Sequence, residues 1–457
     1  MALSSQAQGK LFVRDSRTSR EYEIPISNNT INAADFQKIN LPTKGKSLTK
    51  ALGLQLYDPG MQNTAIKKTE IIGRDPSTGL PLLRGVTSQE LWKRRCDFEE
   101  LFSLMVFGNY PTIVEREALR YQFAEYMKEV PKVVGSVIRK FPPSSPPLPM
   151  ITAGLSAYLS SDPDFIPAIH GGNIYHRNPR AADEAAIKTA AVYAVVIGLI
   201  SCHKKGINFV PADTDDTFLE NLFRMCGLVD PATRRPDPHV LAVFRKGLVL
   251  NCDNGMTQSN LVLCATASSL CDPISCLISA ISAAYGPLHY GAQEAGYRTL
   301  SEIGSADRVP HFLEQVKRRE RRLFGYGHRT FATEDPRLNA VKGWLQELDF
   351  DSKREPLMKI AEEIDRLAAQ DDYFTSRGLR ANADFYTLFV FRAYGFDWDM
   401  IGAANFCMRI IGFMAHWREA MEQEIKIFRA RDYYVGPSKK DPNRESSGTG
   451  ILAQARL

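Results

Sequence analysis

Residues 247–295 read GLVLNCDNGMTQSNLVLCATASSLCDPISCLISAISAAYGPLHYGAQEA, and this stretch decides the fold. Within it, Gly286 and Pro287 signal the start of a helix, which places His289 in the opening turn. The positive end of a helix disfavours a proton on a nearby imidazole, so we expect His289 to stay neutral. A histidine on its own is more often structural, so a chemical role for His289 depends on its neighbours.

Helical periodicity extends over most of the chain outside this stretch. Residues 88–108 (SQELWKRRCDFEELFSLMVFG) place apolar side chains three and four positions apart and end at a glycine. Loops are predicted at three groups of helix breakers, residues 108–111, 141–149 and 162–163. Residues 11–32 instead alternate apolar and polar positions around turn residues, which indicates a β-hairpin. The sequence therefore predicts a mainly α fold with one short N-terminal hairpin.

Composition places the chain among globular proteins and argues against nucleic acid as a partner. A length of 457 residues predicts two domains, and 44% hydrophobic with 24% charged residues is typical of a packed interior. The net charge is only +5, and Lys and Arg are scattered rather than gathered into runs. Nucleic-acid binding normally needs a concentrated basic surface.

Cysteine and histidine spacing gives no sign of a metal site. The eight cysteines include no CxxC pair, and most lie in apolar segments, so they are interpreted as reduced thiols of an intracellular protein. The eight histidines are dispersed, and none lies at ligand spacing from a cysteine pair. We expect no metal and no permanently bound cofactor.

The one targeting signal that the sequence suggests lies at its C-terminus, and no membrane-spanning segment is predicted. Residues 189–202 form the longest apolar run, which is too short to cross a bilayer and indicates a buried helix. The first ten residues match neither a secretory signal nor a mitochondrial presequence. The polar segment 437–457 is expected to be mobile, and it ends in Ala455-Arg456-Leu457, similar to Ser-Lys-Leu. This ending predicts a peroxisomal protein, the alternative being a chance match in a cytoplasmic one.

Four ordered segments carry a resemblance to a known family. These are residues 247–295, LFGYGHRTFATEDPR at 323–337, ANADFYTLFVFRAYG at 381–395 and MRIIGFMAHWREA at 408–420. Together they resemble the citrate synthases, and the resemblance runs from about residue 11 to residue 436. It implies a mainly α, two-domain homodimer. Residues 1–290 and 395–457 would form a large helical domain, and residues 291–394 a small domain that closes over the active site, with His289 at the hinge.

The same resemblance assigns three catalytic groups. His289 would donate a hydrogen bond to the thioester carbonyl as it becomes an enolate, and Asp384 would remove the proton from the α-carbon. His328, in GYGHRT, would polarise the keto carbonyl of oxaloacetate. Asp384 also has a structural interpretation as the N-cap of the helix that follows it, and both roles can hold together.

Three arginines match the family residues that clamp the carboxylates of the keto acid, namely Arg337, Arg409 and Arg429. Forked guanidinium groups suit bidentate carboxylate binding, although a single arginine is more often a solvated surface charge. Arg429 would reach across the dimer. It is followed by Ala430 where the family usually has proline, and Arg431 competes for the assignment.

The chain also departs from the family pattern. Asn254 replaces a substrate-binding histidine, so one contact with the keto acid cannot become cationic. Thr257 stands where the family often has asparagine. After His328 the chain reads TFATED, which lacks the usual cation for CoA phosphates, and Arg329 would compensate in part. Such changes are typical of a specialised relative with altered recognition.

These observations predict an acyl-CoA:oxaloacetate C-acyltransferase of the citrate or alkylcitrate synthase type. Its substrates would be a CoA thioester, as co-substrate, and an α-keto dicarboxylate, and neither nucleic acid nor a membrane would be a partner. The acyl group would be acetyl or a longer alkyl chain. The alternative is a catalytically weak binding or scaffold protein of the same fold, against which the retained His289, His328, Asp384 and arginines argue.

Overall fold

The computed structural model describes residues 8–41, 53–327 and 335–436. The chain divides into two compact units, one made of residues 1–68 and 429–457 and the other of residues 69–428. Helices dominate, as the sequence predicts. The large and small domains predicted from the sequence divide the chain at other residues. That division stays a prediction. The predicted mobile tail, 437–457, lies outside the described residues.

The first unit contains the predicted N-terminal hairpin. Strands β1 (Gly9–Asp15) and β2 (Arg20–Ser27) pair antiparallel, and β3 (Thr30–Ile31) adds two residues to the other side of β2. Asn28 and Asn29 both have a positive φ, which suits the tight turn between β2 and β3. The hairpin is therefore confirmed, with a third short strand that the sequence reasoning did not predict.

The second unit opens with a small antiparallel sheet and continues as helices. Its strands are β4 (Ile72–Arg74), β5 (Pro81–Leu83) and β6 (Val86–Thr87). The helices are α1 (Ser88–Arg94), α2 (Phe98–Phe102), α3 (Ile113–Lys128), α4 (Lys132–Ile138), α5 (Pro147–Ser161), α6 (Pro179–Lys205), α7 (Phe218–Met225), α8 (Pro238–Asn251), α9 (Gln258–Ala267), α10 (Pro273–Ala284), α11 (Gly291–Ile303), α12 (Val309–Lys317), α13 (Leu338–Glu347), α14 (Leu357–Ala368), α15 (Asp372–Thr375), α16 (Ala383–Ala393) and α17 (Ile401–Glu422).

The helical stretch predicted at 88–108 is interrupted. α1 ends at Arg94, its C-cap Arg95 adopts a left-handed conformation, and α2 starts with a capping box between Asp97 and Glu100. α2 then continues as a π-helical turn over Ser103–Phe107. Periodicity alone did not predict this break, because the apolar spacing is kept across it.

α6 and α17 form the centre of the core. Tyr193 on α6 is buried, and its hydroxyl donates a hydrogen bond to the Ala403 carbonyl of α17 over 2.9 Å. α6 has 27 residues, so it is longer than the apolar run suggested and, by length and composition, long enough to cross a membrane. The protein buries 89% of its most apolar window, which confirms the prediction of a buried helix. The eight cysteines are free thiols, and seven of them are buried.

Gly412 allows α17 to approach the turn that follows α8. Its backbone N–H donates to the Cys252 carbonyl over 3.0 Å, and a Cβ at this position would lie 2.4 Å from that oxygen. The main chain of α17 therefore lies directly against residues 252–253. This contact places the end of α8 beside the middle of α17.

Gly412→Ala should destabilise the protein, because the new methyl group must push α17 away from the Cys252 carbonyl. Overpacking of this kind costs about 1–3 kcal/mol. Gly343→Ala is the matched control, since Gly343 lies in α13 with open space around its Cβ position. The control should raise the free energy of unfolding slightly through helix propensity. Urea unfolding measures both, and equal effects of the two substitutions would contradict the close contact.

Candidate active site

Ten side chains from six helices and their flanking turns enclose a small polar cavity of about 130 Å³. Four of the helices, α9, α11, α13 and α16, begin at this cavity, whereas α8 ends there and α17 passes along it. The cavity is lined by Asn251, Asn254, Thr257, His289, Tyr290, Gln293, Arg337, Asp384, Asn405 and Arg409. Converging helix N-termini favour an anionic ligand.

The sequence suggested that His289 lies in the first turn of a helix. In the structure it lies in the turn just before α11. The turn is tight, since a Cβ at Gly291 would meet the carbonyl oxygens of Tyr285 and Gly286 at 2.7 and 2.8 Å. The His289 Nε2 lies 2.9 Å from the Ser259 Oγ on α9. This contact fixes the orientation of the imidazole ring and occupies one of its two nitrogens.

The imidazole of His289 is held neutral by its surroundings. Burial and then the Arg409 charge lower the pKa of His289 to about 4, although the Asp384 carboxylate acts in the opposite direction. Neutrality was predicted, but these causes differ from the helix end invoked from the sequence. A neutral imidazole can donate one hydrogen bond and accept another, which a cation cannot do.

Asp384 is the second residue of α16, and its carboxylate is exposed. The helix cap is Asn382, whose Oδ1 accepts from the Asp384 backbone N–H over 3.0 Å, so the capping role considered for Asp384 belongs to its neighbour. The carboxylate accepts a 3.4 Å hydrogen bond from Gln293, and Gln293 accepts one of 3.4 Å from Asn405. Asp384 is thus oriented toward the cavity without a structural task of its own.

Arg337 and Arg409 are buried in different ways. The guanidinium of Arg337 forms two hydrogen bonds with Asp335, of 3.0 and 2.8 Å, and Asp335 also accepts from the Ala383 N–H at the start of α16. Arg409 is 6% exposed, and among the residues that the structure describes its Nε and Nη1 have no hydrogen-bond partner. A buried cation with unpaired donors favours an anionic ligand.

Asn254 lies in the turn between α8 and α9. Its Oδ1 accepts a 3.1 Å hydrogen bond from Arg74 on β4. The preceding residue, Asp253, is fully buried and accepts hydrogen bonds from Asn260 over 3.0 Å and from His416 over 3.1 Å. Burial alone would raise the pKa of Asp253, but His416, Arg409 and Asn260 outweigh it and lower the pKa. Asp253 therefore anchors the turn that presents Asn254.

The structure brings together five of the eight predicted site residues, namely Asn254, His289, Arg337, Asp384 and Arg409. Two others, His328 and Arg329, lie outside the described residues. Arg429 belongs to the first compact unit, so its role across a dimer stays a prediction.

Sequence reasoning missed Tyr290, Gln293, Asn251 and Asn405, which also line the cavity. Gln293 follows His289 by four positions, so helical spacing could have identified it, whereas Tyr290 is the next residue in the chain and helical spacing does not mark it. The presence of Asn405 at the cavity depends on how α17 packs against α11, and no local pattern reveals that packing. In the described ranges, no group of three or more His, Cys, Asp or Glu side chains could hold a metal ion.

Comparison with known proteins gives the family. The model of the citrate synthase C-terminal domain matches residues 60–431. Alkylcitrate synthase tstJ of Talaromyces stipitatus is 60% identical over 94% of this chain and 95% of its own length. The citrate synthase-like protein oryE of Aspergillus oryzae is 39% identical over 96% and 99%. The chain therefore belongs to the citrate synthase family, and it is an enzyme of the citrate or alkylcitrate synthase type.

Solved structures confirm the fold. The citrate synthase of Thermotoga maritima is 26% identical with a TM-score of 0.69, and 84% of this chain matches 98% of that chain. The enzyme of Thermoplasma acidophilum, solved with carboxymethyl coenzyme A and oxaloacetate, aligns with a TM-score of 0.73 over 84% and 97% at 24% identity. Among the more distant relatives, citrate synthase 1 of Arabidopsis thaliana is peroxisomal by name and 30% identical over 94% and 87%.

The protonation of His289 is open to direct measurement. Because burial and Arg409 lower its pKa to about 4, its imidazole resonance should stay constant between pH 8 and pH 5.5 and begin to shift only below that. Histidine-labelled NMR follows the titration, and His289→Gln identifies the signal by its loss. A midpoint near the ordinary value of about 6.5 would contradict the proposed environment.

The same pKa has a consequence for stability. The unfolded chain takes up a proton at His289 near pH 6.5, whereas the folded protein resists it until about pH 4. The free energy of unfolding should therefore decrease as the pH falls through this window. His289→Gln should show a smaller decrease in urea unfolding, since glutamine has no proton to gain.

Proposed function

We propose that the protein condenses the α-carbon of an acyl-CoA longer than acetyl with oxaloacetate, giving an alkylcitrate and free CoA. The observation that carries this proposal is the composition of the cavity, where the candidate base Asp384 and the neutral His289 share one space with the unpaired donors of Arg409. The 60% identity to a protein named alkylcitrate synthase supports the choice of an alkyl over an acetyl group.

Enolate formation is the first chemical step of the proposed reaction. Asp384 removes a proton from the α-carbon, and the electron pair moves toward the thioester oxygen. The Ser259 hydroxyl contacts Nε2 of His289, and if it donates there, the imidazole proton lies on Nδ1 and is available to that oxygen. A neutral donor suits this task, because the imidazole then needs no net charge to stabilise the developing enolate.

Carbon–carbon bond formation and thioester cleavage complete the reaction. The enolate carbon attacks the keto carbon of oxaloacetate, whose carbonyl His328 would polarise. Water then breaks the carbon–sulfur bond, so that CoA leaves as a thiol and the new carboxyl group carries the oxygen of that water. Arg409 and Arg337 would bind the carboxylates of the keto acid, and Arg329 would contribute to binding CoA.

Closure and dimerisation belong to the same proposal. Residues 291–394 would close as the small domain over residues 1–290 and 395–457, with His289 at the hinge, and so exclude water from the enolate. A homodimer would let Arg429 of one chain reach the keto acid of the other. Light scattering on the eluting protein would contradict this arrangement if it gave the mass of one chain.

The scaffold alternative does not explain the side chains of the cavity. The Asp384 carboxylate neither caps its helix nor forms an ion pair among the described residues. A binding protein that had lost catalysis would have no use for such a carboxylate. The unpaired donors of Arg409 would serve a binding protein equally well, so it is Asp384 that argues for catalysis. Both features have an immediate use in binding and deprotonating substrates.

The reaction can be tested with acyl-CoA thioesters of two to twelve carbons and oxaloacetate, with CoA thiol release as the readout. We expect kcat/KM to be higher for an alkyl chain than for acetyl-CoA. Asp384→Asn should reduce turnover by at least about a thousandfold, because the amide keeps the shape but cannot accept the proton. Near-normal turnover of this variant would contradict the mechanism.

Two comparisons separate chemistry from binding in the same experiment. Asp384→Asn should still bind oxaloacetate in calorimetry, whereas Arg409→Ala should bind it at least about tenfold more weakly through loss of a charged hydrogen-bond donor. Asp372→Asn is the matched control, since Asp372 is exposed at the start of α15 and lies outside the cavity. It should behave as the wild type in both assays.

We also propose that the protein is peroxisomal. The chain ends in Ala455-Arg456-Leu457, and a relative in Arabidopsis thaliana is peroxisomal by name. A fluorescent reporter that carries residues 446–457 should collect in peroxisomes, and the same reporter without the last three residues should stay diffuse. A diffuse signal from both would leave the cytoplasmic alternative.

A further inference from the structure

We propose that the hydroxyl of Tyr290 binds the keto acid and supplies the hydrogen bond that Asn254 gives only weakly. This inference rests on the proposed function, because it concerns the same cavity and the same substrate. Tyr290 would be a residue that sets the affinity for the keto acid and takes no part in proton transfer. Its position, the restricted freedom of its ring and its charged neighbours support this role.

Tyr290 is the neighbour of His289 in the chain and lines the same cavity. Its ring lies between two others, with centroid distances of 4.7 Å to His289 and 4.5 Å to Phe406 on α17. The residue is buried, so these contacts leave the ring little freedom. A phenol held in this way presents its hydroxyl in one direction, which reduces the entropy lost on binding a ligand.

The phenol lies near Arg409, which is one of the residues proposed to bind the carboxylates of the keto acid. The guanidinium carbon of Arg409 lies 5.9 Å from the centroid of the Tyr290 ring. Burial raises the pKa of Tyr290, although the nearby Arg409 charge opposes this, so the hydroxyl keeps its proton and can donate. A neutral donor beside the unpaired Nε and Nη1 of Arg409 makes a larger binding surface for one carboxylate.

The turn at Asn254 explains why another donor is needed. The side-chain oxygen of Asn254 accepts from Arg74, so only its amide N–H group remains for the keto acid. An amide cannot gain a proton as a histidine can, and its hydrogen bond to an anion is weaker than that of a cation. Tyr290 lines the same cavity, and its hydroxyl would be the second neutral donor.

A buried tyrosine that only packs would have the same ring contacts, and Tyr290→Phe separates the two roles. Phenylalanine keeps the ring contacts with His289 and Phe406 and removes the hydroxyl alone. The variant should unfold at nearly the wild-type temperature. It should bind oxaloacetate about ten- to a hundredfold more weakly in calorimetry, as expected for a lost hydrogen bond to a charged group.

Kinetics provide a second readout that packing would not change selectively. For Tyr290→Phe, KM for oxaloacetate should rise about tenfold or more, whereas kcat and the KM for acyl-CoA should stay within about threefold. Tyr285→Phe is the matched control, because Tyr285 lies on the same segment and does not line the cavity. It should leave all constants unchanged.

A double variant makes the test specific. If Tyr290 compensates for Asn254, then Asn254→His added to Tyr290→Phe should recover at least about threefold of the lost affinity, because histidine restores a donor that can carry charge. Wild-type affinity in Tyr290→Phe, with an active wild-type enzyme, would overturn this inference alone. A wild-type protein that neither binds nor converts oxaloacetate would overturn the proposed function together with it.

Discussion

The buried carboxylate of Asp253 is the contact on which the site depends. It accepts hydrogen bonds from Asn260 on α9 and His416 on α17, and it lies where Gly412 brings the main chain of α17 against the turn after α8. A fully buried carboxylate is tolerated only with such partners. The pairing therefore ties three helices together and holds Asn254 and Arg409 at one cavity.

A second set of contacts positions two more cavity residues through the same kind of interaction. Asp335 binds the Arg337 guanidinium and also the Ala383 N–H, so one carboxylate ties the start of α13 to the start of α16. This sets Asp384 one residue further along, with its side chain toward the cavity. In both places a buried acidic residue positions residues that the proposed function would use: Asp253 positions Asn254, and Asp335 positions Arg337 and Asp384.

Local signals in the sequence were enough for the helices, whereas the site residues were assigned through the resemblance of ordered motifs to the citrate synthases. Capping boxes such as Thr112 with Glu115 and prolines at helix starts are local, and so is the spacing that marks His289 and Asp384 as members of ordered motifs. The break at Arg95 was missed, because a left-handed residue between two apolar helices leaves the periodicity intact. Asn405, Arg74 and Asn382 were missed because long-range packing or capping geometry decides their contacts.

The difference in burial between Arg409 and Asp384 indicates in which order the two substrates would bind and react. Arg409 is buried with donors to spare, so a keto acid that enters the cavity relieves an existing electrostatic cost. Asp384 is exposed, and water around a carboxylate weakens it as a base. Removal of that water, by the proposed closure of the small domain, would prepare Asp384 for proton removal. Under the proposed function, the unpaired arginine would favour binding of the keto acid first, and the solvated base would act only once the acyl-CoA has covered it.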